Sequence, residues 1–386
     1  MTRTVIHNGH VITPTETIAQ GYVVIEDGRV SAVASGAAPS LAAAEYLDAA
    51  GSYVGPGFVD VHVHGADGYD TMDATPEALR RIAAFKARHG TTSFLPTTMT
   101  DAPDAIQAAL ANIGACQDGA GSDDGAEILG AHVEGPYFDA ARKGAQPAAY
   151  IRRADAREYE RWFDACTIGV VSLAPEHPEN QPLIGYARQR GAAVSVGHSN
   201  ATYEQVVEAV KLGVNHVTHT FNGMSGLDHR QPGVALAALT VPDLYAEVIA
   251  DLHHVHPAMV DLVVRLKGPE RVVLITDAIR AAGLPDGEYM LGKQRAIVRD
   301  GLPRTAEGSL AGSTLTMDRA VRNVLQVTGL PLAAVWRMAS LTPAESIGMA
   351  ARKGSLAPGK DADIVILDPA LHVALTMVKG RVVFRR

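Results

Sequence analysis

Cysteine is nearly absent from this 386-residue chain: Cys116 and Cys166 are its only two. They stand far apart and in no Cys-x-x-Cys pattern, which argues against both a disulfide framework and a thiolate metal site. Positive charge is not in surplus either. Against 34 Lys and Arg stand 42 Asp and Glu, a net charge of -8. The basic face of a general nucleic-acid binder is therefore missing, and any anionic ligand has to be held by a local cationic pocket. No apolar run approaches the roughly 18 residues that a membrane helix needs, and the opening Met1-Thr2-Arg3-Thr4-Val5-Ile6 has no apolar signal core. The expectation is a cytoplasmic enzyme with no nucleic-acid or membrane partner.

What is present suggests one large α/β unit and one smaller one. Hydrophobic residues make up 47% and charged residues 20%, an ordinary globular balance. Near the start, Thr4 to His7, His10 to Thr13, Gly21 to Glu26 and Arg29 to Ala34 read as short strands, with Asp27-Gly28 as a two-residue hairpin turn. The same texture returns at Ala362 to Leu367, Ala374 to Val378 and Arg381 to Phe384. Neither end can bury a core alone, so residues 1–54 and 355–386 are expected to pair into one small β-sandwich.

Between them, apolar runs alternate with amphipathic stretches. The runs are Phe58 to His64, Thr92 to Pro96, Ile128 to Glu134, Ile168 to Ala174, Ala193 to His198, Val214 to His219, Ala246 to Asp251 and Val272 to Asp277. Helix punctuation separates them: Thr75-Pro76-Glu77 opens one helix that closes at His89-Gly90, and Asn200 opens another that closes at Gly213. Eight such units predict a (β/α)8 TIM-like barrel over residues 55–354, with a doubly wound open sheet as the alternative. No Gly-x-Gly-x-x-Gly follows the first strand of any unit, which weakens a dinucleotide-binding version of that alternative. The stretch around 285–312 reads as a β-hairpin insertion hanging over the active face.

The polar residues concentrate where the apolar runs end. In Asp60-Val61-His62-Val63-His64 the valines alternate with Asp60 and the two histidines, so a strand puts His62 and His64 on one face at its C-terminal end. His132-Val133-Glu134, Gly197-His198-Ser199, His216-Val217-Thr218-His219 and Thr276-Asp277 end four further runs. Imidazole and carboxylate together suit a borderline divalent ion such as Zn²⁺ and leave positions open for water. Five strand ends converging this way would cost several kcal/mol if the groups were left unpaired. His132 and His216 are read as side chains that support the ligands from behind. His7, His10, His89, His177 and His372 are read as structural or solvated.

These motifs, together with Phe221-Asn222-Gly223-Met224, Glu134-Gly135-Pro136 and Leu310-Ala311-Gly312-Ser313-Thr314, resemble the amidohydrolase superfamily and, within it, the N-acetylglucosamine-6-phosphate deacetylases. The resemblance implies that Glu134, His198 and His219 hold a principal metal. It gives His62 and His64 to a second, so that one or two ions are expected: Zn²⁺ first, with Fe²⁺, Mn²⁺, Co²⁺ or Cd²⁺ as alternatives. The run ending Ser172-Leu173-Ala174-Pro175 offers no lysine for carboxylation, consistent with Glu134 in that role. Asp277 takes the part of general base and then acid in hydrolysis of an acetamide, releasing acetate from a phosphorylated N-acetyl amino sugar. Asn222, Gly223, Arg230 and His254 match substrate and phosphate contacts, completed across a homodimer interface. Ala145 and Gln146 match the substrate side of the motif Lys143-Gly144-Ala145-Gln146, where many relatives carry histidine in place of Gln146; a glutamine can donate a hydrogen bond there but cannot become cationic. The competing expectations are an N-acetylgalactosamine-6-phosphate deacetylase, another amidohydrolase such as a cyclic-amide hydrolase, and a catalytically inactive binding protein.

Overall fold

The computed structural model describes residues 2–117 and 125–386. Residues 1 and 118–124, which fall inside the predicted terminal and barrel units, lie outside the described residues. Runs of aliphatic and β-branched residues form the parallel strands β1 (Phe58–Val63), β2 (Thr91–Pro96), β3 (Ala131–Glu134), β4 (Ile168–Leu173), β5 (Ala193–Val196), β6 (His216–Val217), β7 (Tyr245–Ile249) and β8 (Val272–Ile275). Strands β3 to β8 make one six-stranded parallel sheet, and β1 pairs with β2 in another. Single bridges close both seams, Thr97 with His132 and Val63 with Ala278, giving the expected eight-stranded barrel.

The third predicted run differs from expectation. Glu127–Ile128 pairs with β2, whereas β3 pairs with β4. Leu129 N donates to Phe94 O, and Ala131 N donates to Thr167 O, so two residues hand the backbone from one neighbour to the other. The helix Pro76–Arg88 starts as predicted, with Thr75 as cap and Pro76 in its first turn. The helix Tyr203–Leu212 starts later than predicted. Its cap is Thr202, in a reciprocal capping box with Gln205, while the Asn200 side-chain oxygen accepts from Arg142 Nε at 2.9 Å.

The two chain ends share one sheet of eight strands: Arg3–Ile12, Thr17–Glu26, Arg29–Ser35, Ala44–Asp48, Tyr53–Pro56, Ile364–Leu367, Val373–Val378 and Arg381–Arg385. Thr4 to His7 and His10 to Thr13, expected as two strands, are one strand with register shifts around Gly9. The ladder is continuous because Tyr53–Pro56 pairs with His10 and Val11 on one side and with Ile364–Leu367 on the other. Asp27 and Gly28 both adopt positive φ, 47° and 78°, as a tight hairpin turn requires. Ile6, Val23, Ile25, Val54, Ile364 and Met377 belong to a core of this sheet's own.

A buried ionic cluster ties the sheet to the barrel. Glu127 pairs with Lys353, with Arg352 at 2.6 Å and with Lys379 at 3.0 Å, while Lys353 also holds Asp363 at 2.6 Å. Burial pushes the Glu127 carboxyl up, but the Lys353 charge and the hydrogen bonds from all three cations outweigh this and hold it at about 2. Its folded pKa is thus below the ordinary 4.5, so its stabilisation is complete above pH 4.5 and is lost as pH falls toward 2. Glu127→Gln should cost about 1.5–3 kcal/mol at pH 7, the usual worth of a charge-assisted hydrogen bond. In thermal melts the gap between variant and wild type should close between pH 4.5 and 2; a gap independent of pH would show that the charge contributes nothing.

After β8 the chain forms the antiparallel strands Gly287–Leu291, Gln294–Arg299 and Leu302–Arg304, so the expected hairpin insertion gains a third short strand. Its apolar face, Leu291, Ala296 and Val298, packs with Met99, Ile279 and Ala311. Among the described residues no helix is long and apolar enough to cross a membrane.

Candidate active site

Alternation along β1 works as its sequence suggests. Val59, Val61 and Val63 are buried in the hydrophobic clusters, and the histidines that alternate with them meet the other strand ends. Asp60 does not join them, because Lys86 and Thr276 Oγ1 take its carboxylate.

The six residues predicted as ligands and base converge. Glu134 Oε1 lies 3.2 Å from His198 Nε2 and 3.2 Å from His219 Nε2, and these two nitrogens are 3.2 Å apart. Glu134 Oε2 is 3.2 Å from His64 Nε2. Asp277 Oδ1 stands 3.5 Å from His62 Nε2 and 3.3 Å from His64 Nε2. Donors bound at 2.0–2.1 Å to a tetrahedral ion lie about 3.3 Å apart, so the Glu134–His198–His219 triangle has the right edge length. Two groups, His62–His64–Asp277 and Glu134–His198–His219, therefore have donor atoms close enough to share an ion each.

The rings are oriented from behind. His64 Nδ1 donates to Thr97 O at 3.2 Å and His198 Nδ1 to Arg142 O at 2.9 Å. A carbonyl only accepts, so Nδ1 carries the hydrogen and Nε2 presents its lone pair to the centre. His62 Nε2 is buried without a hydrogen-bond partner among the described residues. His198, His219 and Asp277 all adopt positive φ, 46°, 32° and 47°. Non-glycine residues bear that strain where the surrounding structure over-determines it, as at functional sites.

The electrostatics of the site suit a cation. Burial pushes the His62 imidazole down, yet Glu134, Asp277 and Glu247 outweigh it and raise it to about 9. Burial pushes the Asp277 carboxyl up, but His62 and His64 hold it at about 2, so it stands ionised. Carboxylates that force protons onto neighbouring imidazoles equally favour a divalent ion competing for the same lone pairs.

Around the centre lies a cavity of about 300 Å³ lined by His64, Glu134, Ala145, Gln146, His198, His219, Asn222, Gly223, His254 and Asp277. Gly223 has φ 58°, and a Cβ there would meet His198 Nδ1 at 2.8 Å, so only glycine lets this turn approach the imidazole. His254 Nδ1 is held by Asp251 Oδ2 at 2.7 Å. Gln146 sits deeper than its motif suggested: its Nε2 donates to Glu134 Oε2 at 2.7 Å and its Oε1 accepts from Thr100 N at 2.9 Å. Arg230 is not brought into the cavity. It lies in the exposed run 226–231, whose backbone is capped by Asp228 Oδ1.

His132 supports the centre as expected, between Val61 O at 3.0 Å and Ser172 Oγ at 2.7 Å, with its ring against that of His62. His216 does not: its ring packs on Tyr245 and its Nδ1 is 3.4 Å from Asn215 Oδ1, because a neighbouring strand position places it away from the strand ends. Sequence reasoning missed Glu247, wholly buried beside His62. The available signal was a lone charge inside the apolar strand Tyr245-Ala246-Glu247-Val248-Ile249. It also missed Met99, Leu291 and Ser309, which line the cavity and carry no motif.

A model of the amidohydrolase family matches residues 53–383. The chain belongs to the amidohydrolase family. An N-acetylglucosamine-6-phosphate deacetylase of Vibrio furnissii is 45% identical to this amidohydrolase over 85% of the chain and 82% of the relative. An N-acetylgalactosamine-6-phosphate deacetylase of Escherichia coli O157:H7 is 44% identical over 84% and 86%. A solved structure of a mutant N-acetyl-D-glucosamine-6-phosphate deacetylase from Mycobacterium smegmatis, in complex with N-acetyl-D-glucosamine-6-phosphate, superposes with a TM-score of 0.92 at 33% identity. It covers 99% of this chain and 100% of its own. Membership in the amidohydrolase family implies a divalent metal, and the donor set above suits one.

Proposed function

We propose that this amidohydrolase cleaves the acetamide of N-acetyl-D-glucosamine 6-phosphate, giving D-glucosamine 6-phosphate and acetate. The observation that carries the reading is Asp277 standing 3.3 Å from His64 Nε2, which is itself 3.2 Å from Glu134 of the Glu134–His198–His219 donor triangle, all lining one cavity, in a chain 45% identical to a deacetylase of that substrate.

Glu134, His198 and His219 would hold the principal ion and His62 and His64 a second, with Zn²⁺ the best match to nitrogen and oxygen donors. An ion held there would supply Lewis-acid polarisation of the carbonyl and a more acidic water. Asp277, lying among His62 and His64, accepts the proton of the attacking water. It then returns that proton to the amide nitrogen, which leaves only as a protonated amine. Gln146, with its amide on Glu134, restrains that carboxylate, and Ala145 beside it walls the acyl end. Asn222, Gly223 and His254 line the same cavity and serve the sugar phosphate.

Arg230 completes the phosphate site from a second copy in a homodimer. Its exposure on the run 226–231 supports a role toward another subunit, and its planar fork suits phosphate. Arg230→Ala should weaken use of the phosphorylated substrate about 10–100-fold, the equivalent of one charge-assisted hydrogen bond, in kcat/KM. An equal loss on unphosphorylated N-acetylglucosamine would remove Arg230 from the phosphate site. A phosphorylated sugar as substrate fits a cytoplasmic enzyme. The decisive assay is acetate release from the 6-phosphates of N-acetylglucosamine and N-acetylgalactosamine, with metal content measured on the same preparation. Preference for the galactose epimer would move the reading to the activity named for the 44% identical relative; no acetate from either would overturn it.

A further inference from the structure

Glu247 on β7 is fully buried beside His62. Oε2 lies 3.1 Å from His62 Nδ1 and 3.3 Å from the His219 backbone nitrogen, while Oε1 has no hydrogen-bond partner among the described residues. Among the described residues no lysine or arginine pairs with it; its one ionic neighbour is His62. A carboxylate buried in such a place is costly unless a positive charge stands close by.

We propose that Glu247 is a positioning residue that selects for a divalent ion at the His62–His64 position, an inference that rests on the reading of this site as a metal centre. A carboxylate accepts and does not donate, so His62 Nδ1 carries the hydrogen and Nε2 faces Asp277 and Glu134 with its lone pair. His64 and His198 have neutral carbonyls behind them, and His219 Nδ1 has no partner among the described residues. His62 is thus set apart from the other three by a full negative charge at its back. A carboxylate there raises the ligand strength of an imidazole and fixes its ring. The effect falls on one half of the centre: Glu134, His198 and His219 meet Glu247 only through the main-chain N–H of His219. Glu247 thereby gives the second position an extra anionic charge that the principal position does not share.

The test is calorimetric titration of chelator-stripped full-length protein with Zn²⁺, repeated with Co²⁺ and followed by its visible bands. Wild type should take up two ions per chain. Glu247→Gln, which keeps shape and a hydrogen-bond acceptor, should weaken the second ion about 10–100-fold, the range for outer partners of metal-bound histidines. The first should change by no more than about threefold. Combined with His62→Ala, Glu247→Gln should add no further loss. If the variant does not fold, Glu247→Asp, which keeps the charge but shortens the reach, should show an intermediate loss at the second position alone. Equal weakening of both ions with a lowered melting temperature would reduce Glu247 to a structural role and overturn the proposal, as would unchanged affinities or a wild type that takes only one ion. A wild type that takes none would overturn the metal-centre reading beneath it.

Discussion

Replacement of Asp277 by asparagine should lower turnover by about 10²–10⁴, the usual contribution of a general acid–base group, while the ion at Glu134, His198 and His219 stays bound. The two halves of that expectation have separate causes. Asp277 lies 3.3 Å from His64 Nε2 and 3.5 Å from His62 Nε2 and, among the described residues, pairs with neither His198 nor His219, so its charge is not what holds the principal triangle together. An asparagine amide fits the same space but cannot take a proton from water or return one to a departing amine. Steady-state rates with metal analysis on the same sample check it. Retained turnover would remove Asp277 from the chemistry; loss of the principal ion would make it a ligand instead.

Glu134→Gln should do the opposite, abolishing activity through loss of metal. One oxygen of this carboxylate is 3.2 Å from both His198 and His219 Nε2, and the other is 3.2 Å from His64 Nε2. A glutamine must turn its NH₂ toward one of those positions, where a donor meets a cation. Outer partners of metal-bound histidines alone change affinity by about 10–100-fold, so loss of a shared anionic ligand should exceed that range. Part of the activity should return with excess ion. Metal content equal to wild type after dialysis would show that Glu134 is dispensable for binding. Because Gln146 donates to Glu134 Oε2, Gln146→Ala supplies a milder version of the same perturbation.

The amino-acid order carried the essentials of this centre for a simple reason. Barrel strands are short, parallel and buried, so their apolar runs announce themselves, and the polar residues that end them share one rim. His62 and His64 are legible because strand alternation fixes their face; Glu134, His198, His219 and Asp277 because each breaks an apolar run at its end. Glu247 was hidden by the opposite circumstance. It lies in the middle of its strand, where a charge reads as an exception and not as part of a site. His216 failed in reverse: its sequence proximity to His219 suggested a supporting role that its place in the strand denies.

Composition and periodicity pointed to a barrel, with an open sheet as the alternative, to a terminal β unit and to polar side chains at the strand ends, because these follow from local alternation and from the need to bury apolar faces. Folding in three dimensions decided which nitrogen of each histidine faces inward, that Asp60 belongs to Lys86 and not to the centre, that Gln146 rests on Glu134, and that Arg230 stands apart from the cavity. The clearest of those choices rest on distant partners, such as Lys86 and Thr276, 26 and 216 residues from Asp60 in the chain. Only the closed barrel, which brings β1 beside β8, makes them neighbours.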